Sequence, residues 1–233
     1  MSLTNLLHQL MEYDSALLAN TIGYIDPTPA HEIYMGGSIE CQTPAISPLV
    51  GIAVTCEMDS SSPGGEWQME PFYEQVEQMR EMKEPVVWVV KAVGSRPDHE
   101  CILGDGMAKS LYSVGCAGVV TDGGLRDVAG FMTIPFHAFA KGRVIHHCAL
   151  RIRSINQPVE VGGVVIRPGD VIHGSQEGVI RIPPACLERL PERAAKMRAF
   201  EHEAHAILRQ PEIAPRDKKQ RVGELLLTYG FAK

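Results

Sequence analysis

The sequence predicts an α/β fold. Residues 86–93 (VVWVVKAV) form a β-branched, almost wholly apolar run, which suits a strand covered on both faces of a parallel or mixed sheet. Further apolar runs at 49–56, 117–121 and 134–140 repeat that character, and segments with helical spacing lie between them. No internal repeat, low-complexity tract or linker divides the 233 residues, so the simplest organisation is one domain over 1–233, with helical extensions at about 1–25 and 184–233.

From the N-terminus, Leu3, Leu6, Leu7, Leu10, Met11, Leu17 and Leu18 predict a helix over 3–19. Gly23 and Pro27-Thr28-Pro29 open an irregular stretch that runs to about 48. A strand over 49–56 is followed by the loop Ser60-Ser61-Ser62-Pro63-Gly64-Gly65, then by a helix over 72–82 with Phe72, Val76, Met79 and Met82 on one side. The strand at 86–93 leads through a polar loop (95–100) to a helix over 105–114 and a strand over 117–121. A turn at 122–124, a short helix near 126–131 and a strand over 134–140 come next. From 159 onward, short β segments (164–166, 171–172, 179–182) alternate with Gly and Pro. A long helix over 184–208 and an amphipathic segment ending at Tyr229 close the chain.

Composition bounds the function. Apolar residues make up 45% and charged residues 21%, which excludes a wholly disordered chain. A net charge of -6 argues against a general nucleic-acid binder, which needs a basic face, but leaves room for a small anionic substrate. No apolar run approaches the roughly 20 residues that span a bilayer. No basic segment precedes an apolar stretch at the N-terminus. Six cysteines without a CxxC pair suit reduced thiols, and the expected location is cytoplasmic.

The chemistry concentrates in 104–127. Gly104-Asp105-Gly106 opens a helix whose first amides lack internal partners and favour an anion. On local sequence alone Asp105 reads better as an N-cap, accepting from those same amides. Thr121-Asp122-Gly123-Gly124-Leu125-Arg126-Asp127 follows an apolar strand, at the end where ligands of open α/β sheets gather. A guanidinium there can fork onto a carboxylate, and a carboxylate can hold a hard cation. A surface salt bridge at a helix start is the competing reading.

Asp105, twenty residues and then Arg126-Asp127 resembles the signature of the RraA-like superfamily, and within it the class II pyruvate aldolases. Gly115-x-x-Gly118 before Asp122-Gly123, Ile134-Pro135-Phe136-His137-Ala138, Gly162-Gly163-Val164 with Pro168-Gly169-Asp170-Val171, and Glu177-Gly178-Val179-Ile180 extend the resemblance over about 49–205. The resemblance implies a swivelling β/β/α fold and a divalent-metal-dependent lyase. Such an enzyme would cleave 4-hydroxy-4-methyl-2-oxoglutarate or 4-carboxy-4-hydroxy-2-oxoadipate and decarboxylate oxaloacetate. It implies that Gly104, Asp105, Gly106 and Met107 contact the pyruvyl group, that Asp105 holds a proton-transfer water, and that Arg126 binds the keto-acid end. Asp127 would be the one direct protein ligand of Mg²⁺ or Mn²⁺. Glu201, or Glu203 beside it, would approach from a neighbouring subunit of a homotrimer or hexamer. The stretch Asn20-Thr21-Ile22-Gly23-Tyr24-Ile25 departs from the family pattern, with no carboxylate where many of those aldolases carry one.

Other clusters read as structural. The histidines of His202-Glu203-Ala204-His205 are three apart, not four, so the segment suits a solvated helix. His146-His147-Cys148, taken as a strand, point to alternate faces and do not converge. Cys116, Trp67 and Trp88 read as packing residues, and Lys109 needs no catalytic role. The alternative function is a non-enzymatic RraA-type regulator that binds ribonuclease E; the intact Asp105, Arg126 and Asp127 favour chemistry. A methyltransferase reading lacks the glycine-rich nucleotide loop it needs.

Overall fold

The computed structural model describes residues 2–46 and 48–231; Met1 and Ser47, which the N-terminal and 23–48 expectations include, lie outside them. In chain order the elements are α1 (Leu3–Leu10), α2 (Ser15–Ile22), β1 (Glu40–Cys41), β2 (Leu49–Asp59), α3 (Glu70–Arg80), β3 (Val86–Val93), β4 (Cys101–Leu103), α4 (Asp105–Tyr112), β5 (Cys116–Thr121) and β6 (Gly124–Leu125). There follow α5 (Val128–Phe131), β7 (His137–Ala140), β8 (Gly142–Arg143), β9 (Arg151–Ile155), β10 (Val159–Val161), β11 (Val164–Ile166), β12 (Val171–Ser175), β13 (Gly178–Ile182), α6 (Leu190–Leu208) and α7 (Pro215–Thr228). This is the mixed α/β architecture with helical ends that the sequence predicts.

The main sheet runs β1-β7-β5-β3-β2-β12-β13, and β9 also pairs with β2. Its centre is parallel, β2 to β3 to β5 to β7. The remaining pairings are antiparallel. The apolar run at 86–93 is β3, the second strand of that centre, flanked by β2 and β5, and is buried along most of its length. Trp88, fully buried, donates its indole N–H to Gln75 Oε1 at 3.0 Å, so the polar atom of the largest core side chain is satisfied. One core lies between this sheet and α3, α4 and α5; a second holds Val87, Val89, Val120 and Phe139 with the β10–β11 hairpin. A third packs α1, α2 and α6 against β2, β12 and β13. None of the described helices is long and apolar enough to cross a membrane.

Three expectations change. The N-terminal helix is two helices, because Asp14 caps a new one by accepting from Leu17 N at 2.7 Å. The strand expected over 134–140 starts at His137, since Pro135 has no N–H to give a ladder. The helix expected from 184 begins with a 3₁₀ turn, Pro184–Cys186, and becomes α-helical at Leu190.

The helical ends meet the sheet through a buried histidine. His173 on β12 places Nδ1 2.9 Å from Ser15 Oγ and Nε2 3.1 Å from the Tyr13 carbonyl. Burial pushes its pKa down to about 4, and burial does the same to His137 on β7, from an ordinary 6.5. With folded values depressed, the unfolded chain takes up protons first. Stability is therefore full above pH 6.5 and declines as pH falls toward 4. Urea unfolding at pH 5 should give a free energy about 2–4 kcal/mol lower than at pH 7. Equal values at the two pH values would contradict the burial of neutral imidazoles.

Candidate active site

The two halves of the 104–127 motif meet because a small second sheet brings them together. β4, β6 and β8 form three parallel strands, with Cys101 opposite Gly124 and Leu103 opposite Leu125. The Arg126 amide donates to the Leu103 carbonyl at 3.1 Å. The chain leaves β4 into α4 and leaves β6 into α5, so Gly104 and Asp105 stand beside Arg126 and Asp127. The twenty intervening residues are α4, β5 and the turn into β6, one crossover that returns parallel.

Gly104, extended at φ -112° and ψ 179°, occupies the cap position of α4 without a side chain to satisfy the amides. Asp105 is the first helical residue, not the cap that local sequence suggests. Its carboxylate reaches forward to Lys109 Nζ at 2.6 Å. That hydrogen bond holds the Asp105 pKa below the ordinary carboxylate value. Asp127 takes a left-handed conformation at φ 57° and ψ 32°, and its carbonyl accepts from Gly130 N at 2.7 Å to start α5. Its carboxylate oxygen lies 3.3 Å from Arg126 Nε, both side chains being partly exposed. The salt bridge anticipated as the competing reading exists, and it sits inside a cleft.

Clearances are small here. A Cβ on Gly104 would come within 3.4 Å of both Arg126 Nε and Asp127 Oδ2. A Cβ on Gly130 would lie 2.5 Å from Asp105 Cβ, so this glycine lets α5 approach the start of α4.

The cleft these residues line has a volume of about 590 Å³. Gly104, Asp105, Gly106, Met107, Arg126 and Asp127 all face it. Glu201 does not. It lies on α6, accepts from Asn20 Nδ2 at 3.3 Å, and lines a separate hollow with Tyr24, Phe200 and Leu226. Glu203 accepts from the Tyr229 hydroxyl, also away from the cleft.

Sequence reasoning missed the far wall. Trp67 is not a packing residue: it is 60% exposed, borders the cleft and stands edge-on to His147, with ring centres 5.5 Å apart. Tyr73 and His147 also line it. The segment 146–148 is not a strand, and the rings of His146 and His147 stack with an interplanar angle of 10°. Among the described residues, no three His, Cys, Asp or Glu side chains cluster to hold a metal. Cys116 is fully buried, and its thiol contacts the Gly118 carbonyl, as a packing residue should.

The fold and this cleft define a mixed α/β protein in which a helix N-terminus, a guanidinium and a carboxylate converge. The chain belongs to the RraA-like family: that family's model, described as Aldolase/RraA, matches residues 30–181. A Halalkalibacterium halodurans protein named "Putative 4-hydroxy-4-methyl-2-oxoglutarate aldolase" is 41% identical over 95 residues, 40% of this chain and 44% of that protein. A Shewanella oneidensis protein of the same name is 29% identical over 37% of this chain and 53% of its own length. The similarity thus spans about half the length of these relatives. Two solved structures share the fold. One is Streptomyces coelicolor RraAS2, described as an unusual member of the RNase ES inhibitor RraA protein family. It has a TM-score of 0.69 at 22% identity and covers 86% of this chain and 96% of that one. An uncharacterized protein from Pseudomonas syringae pv. tomato has a TM-score of 0.67 at 20% identity, covering 92% and 96%.

Gly130→Ala should lower unfolding stability by about 1–3 kcal/mol, because the new methyl must displace backbone-linked atoms of Asp105. Gly106→Ala, whose Cβ meets nothing within 4 Å, should stay within about 0.5 kcal/mol of wild type or gain slightly. Chemical denaturation of the two variants checks the contrast, and equal stabilities would refute the close α4–α5 approach.

Proposed function

We propose that the chain is a divalent-metal-dependent lyase that breaks a C–C bond of a 2-oxo acid and releases pyruvate by way of its enolate. The observation that carries this reading is the convergence of Arg126 and Asp127 on the open N-terminus of α4 in one cleft. Asp127 suits a hard cation. Its carboxylate is 54% exposed in the cleft, and a single carboxylate is enough for an ion that keeps most of its waters. Mg²⁺ or Mn²⁺ held by Asp127 would supply Lewis-acid charge at the keto end of the substrate.

The chain's own groups do the rest. Arg126 binds the substrate carboxylate and offsets the negative charge that develops as the bond breaks. The amides following Gly104 add partial positive charge without moving. Asp105 stays ionised, since Lys109 holds its pKa down, and accepts a hydrogen bond from the water that carries the proton. Met107, half-buried against the core, lines the same cleft. Retro-aldol cleavage and oxaloacetate decarboxylation both pass through the same enolate, so one site serves both. Glu201 belongs to this reading only as a second carboxylate given to a neighbouring copy's cleft, in a homotrimer or hexamer. A regulator that binds ribonuclease E needs none of these groups in register.

Arg126→Ala and Asp127→Asn should each reduce pyruvate release from oxaloacetate by about 100-fold or more. Asparagine is chosen at 127 because it tolerates the left-handed backbone that alanine would strain. Circular dichroism and melting temperature should match wild type. Rates near wild type in both folded variants would refute the site.

A further inference from the structure

The cleft is lined by two unlike sets of residues. One is Arg126, Asp127 and the start of α4, which follows the end of β4. The other is Trp67, Met69, Phe72, Tyr73 and Leu150, with Trp67 against His147, whose neighbour His146 accepts through its carbonyl from Cys101 N at the start of β4. Arg126 is the one Lys or Arg among the lining residues. Lys109 is committed to Asp105. His147 lies with Nδ1 2.7 Å from the Cys148 carbonyl, so that nitrogen carries hydrogen and is already used. Among the described residues of one chain, the far wall therefore offers rings and no permanent cation.

That wall is built by the chain itself. Gln68, next to Trp67, is fixed to β9: its amide donates to the Leu150 carbonyl at 3.0 Å, and its carbonyl accepts from Ile152 N at 2.9 Å. The preceding loop hangs on Asp59. Burial raises the pKa of that carboxylate, but hydrogen bonds from the Ser62 amide, Arg153 and the Ser61 amide outweigh this and hold it well below the ordinary range. Arg151, buried beside Asp59 at 3.3 Å, also donates to the Ser62 and Gly64 carbonyls. Gly65, at φ +80°, leaves the space its guanidinium fills. Trp67 and Tyr73 nonetheless remain about 60% exposed, an arrangement that leaves two ring faces available beside a polar centre.

We infer that the substrate is a 2-oxo acid with a single carboxylate, bound at Arg126, whose far end is an apolar, ring-sized group seated against Trp67 and Tyr73. This rests on the lyase reading and adds the substrate class. A second carboxylate at that end would lose water against rings and methylenes with no cation to meet it. A ring would gain offset or edge-on contacts there. In a 4-hydroxy-2-oxo acid of this kind the bond between C3 and C4 breaks, and its electron pair stays on C3 as the pyruvate enolate. The hydroxyl proton leaves, C4 becomes an aldehyde carrying the apolar group, and a proton returns to C3. The step is redox-neutral.

The test uses the full-length protein with Mn²⁺ and two pairs of ligands. Cleavage of 4-hydroxy-2-oxo-4-phenylbutanoate is compared with that of 4-hydroxy-4-methyl-2-oxoglutarate. Binding of inert 2-oxo-4-phenylbutanoate is compared with that of 2-oxoglutarate by calorimetry. The phenyl member of each pair should be favoured by about tenfold or more. Trp67→Ala should collapse that ratio, Trp67→Phe should restore most of it, and Tyr73→Ser should lower it independently should Trp67→Ala fail to fold. Preference for the dicarboxylate in either pair would overturn the inference. So would a ratio that Trp67→Ala leaves intact while size-exclusion chromatography shows an altered assembly, since Trp67 would then face another copy. Tighter phenyl binding without cleavage of either substrate or of oxaloacetate would sink the lyase reading and leave the ligand class standing.

Discussion

The site depends on one backbone pairing, β4 beside β6. Each strand is only two or three residues long, and the Arg126 amide to Leu103 carbonyl bond seals the end of the pair. Both strands continue from the carboxyl ends of the parallel centre: β4 follows β3, and β6 follows β5. Their ends release α4 and α5 at the same point, which brings residues twenty positions apart into contact. Remove that pairing and Gly104, Asp105, Arg126 and Asp127 are four unrelated surface residues.

Around this pairing the fold accepts local costs. Asp127 sits in a left-handed conformation that asparagine and aspartate bear better than other side chains. Gly130 gives up a side chain so that α5 can close on Asp105. On the other wall, a buried carboxylate with two arginines holds the loop that precedes the exposed Trp67 indole. Such arrangements are typical of positions where geometry matters more than stability. The cleft thereby joins a polar lining carried on the small sheet of β4 and β6 to an aromatic lining beside β9, which pairs with β2 of the main sheet.

Much of this was legible in the sequence, for physical reasons that differ by element. Strand 86–93 was readable to the residue because a β-branched run buried on both faces has little else to become. The N-terminal helices were fused because Met11 extends the leucine spacing toward Leu17 and Leu18, and the capping carboxylate of Asp14 between them is a weaker signal than that spacing. β4 and β9 were missed: β4 is apolar but only three residues long, too short a run to mark a strand, and β9 carries two arginines that break the apolar pattern. The polar half of the cleft was visible through the family resemblance that the Asp105 to Arg126-Asp127 spacing carries; read alone, the Arg-Asp pair suited a surface salt bridge equally well. The aromatic half was not visible. Trp67 follows a flexible-looking Ser/Gly loop, and only the long-range Asp59–Arg151 clamp and the bridge to β9 place it at the cleft. Glu201 lies on α6 in a separate hollow, and only the family resemblance, not the periodicity of α6, gives it to a neighbouring copy.

The central claim is that Asp127, Arg126 and the start of α4 form one metal-dependent site for a 2-oxo acid. The most direct measurement is pyruvate release from oxaloacetate by the wild-type protein, with Mg²⁺ or Mn²⁺ and again with excess EDTA, each corrected for the rate of metal alone. The account predicts turnover well above that background, abolished by EDTA and restored by added metal. Turnover at the metal-only rate in a folded protein that binds no divalent cation would contradict it.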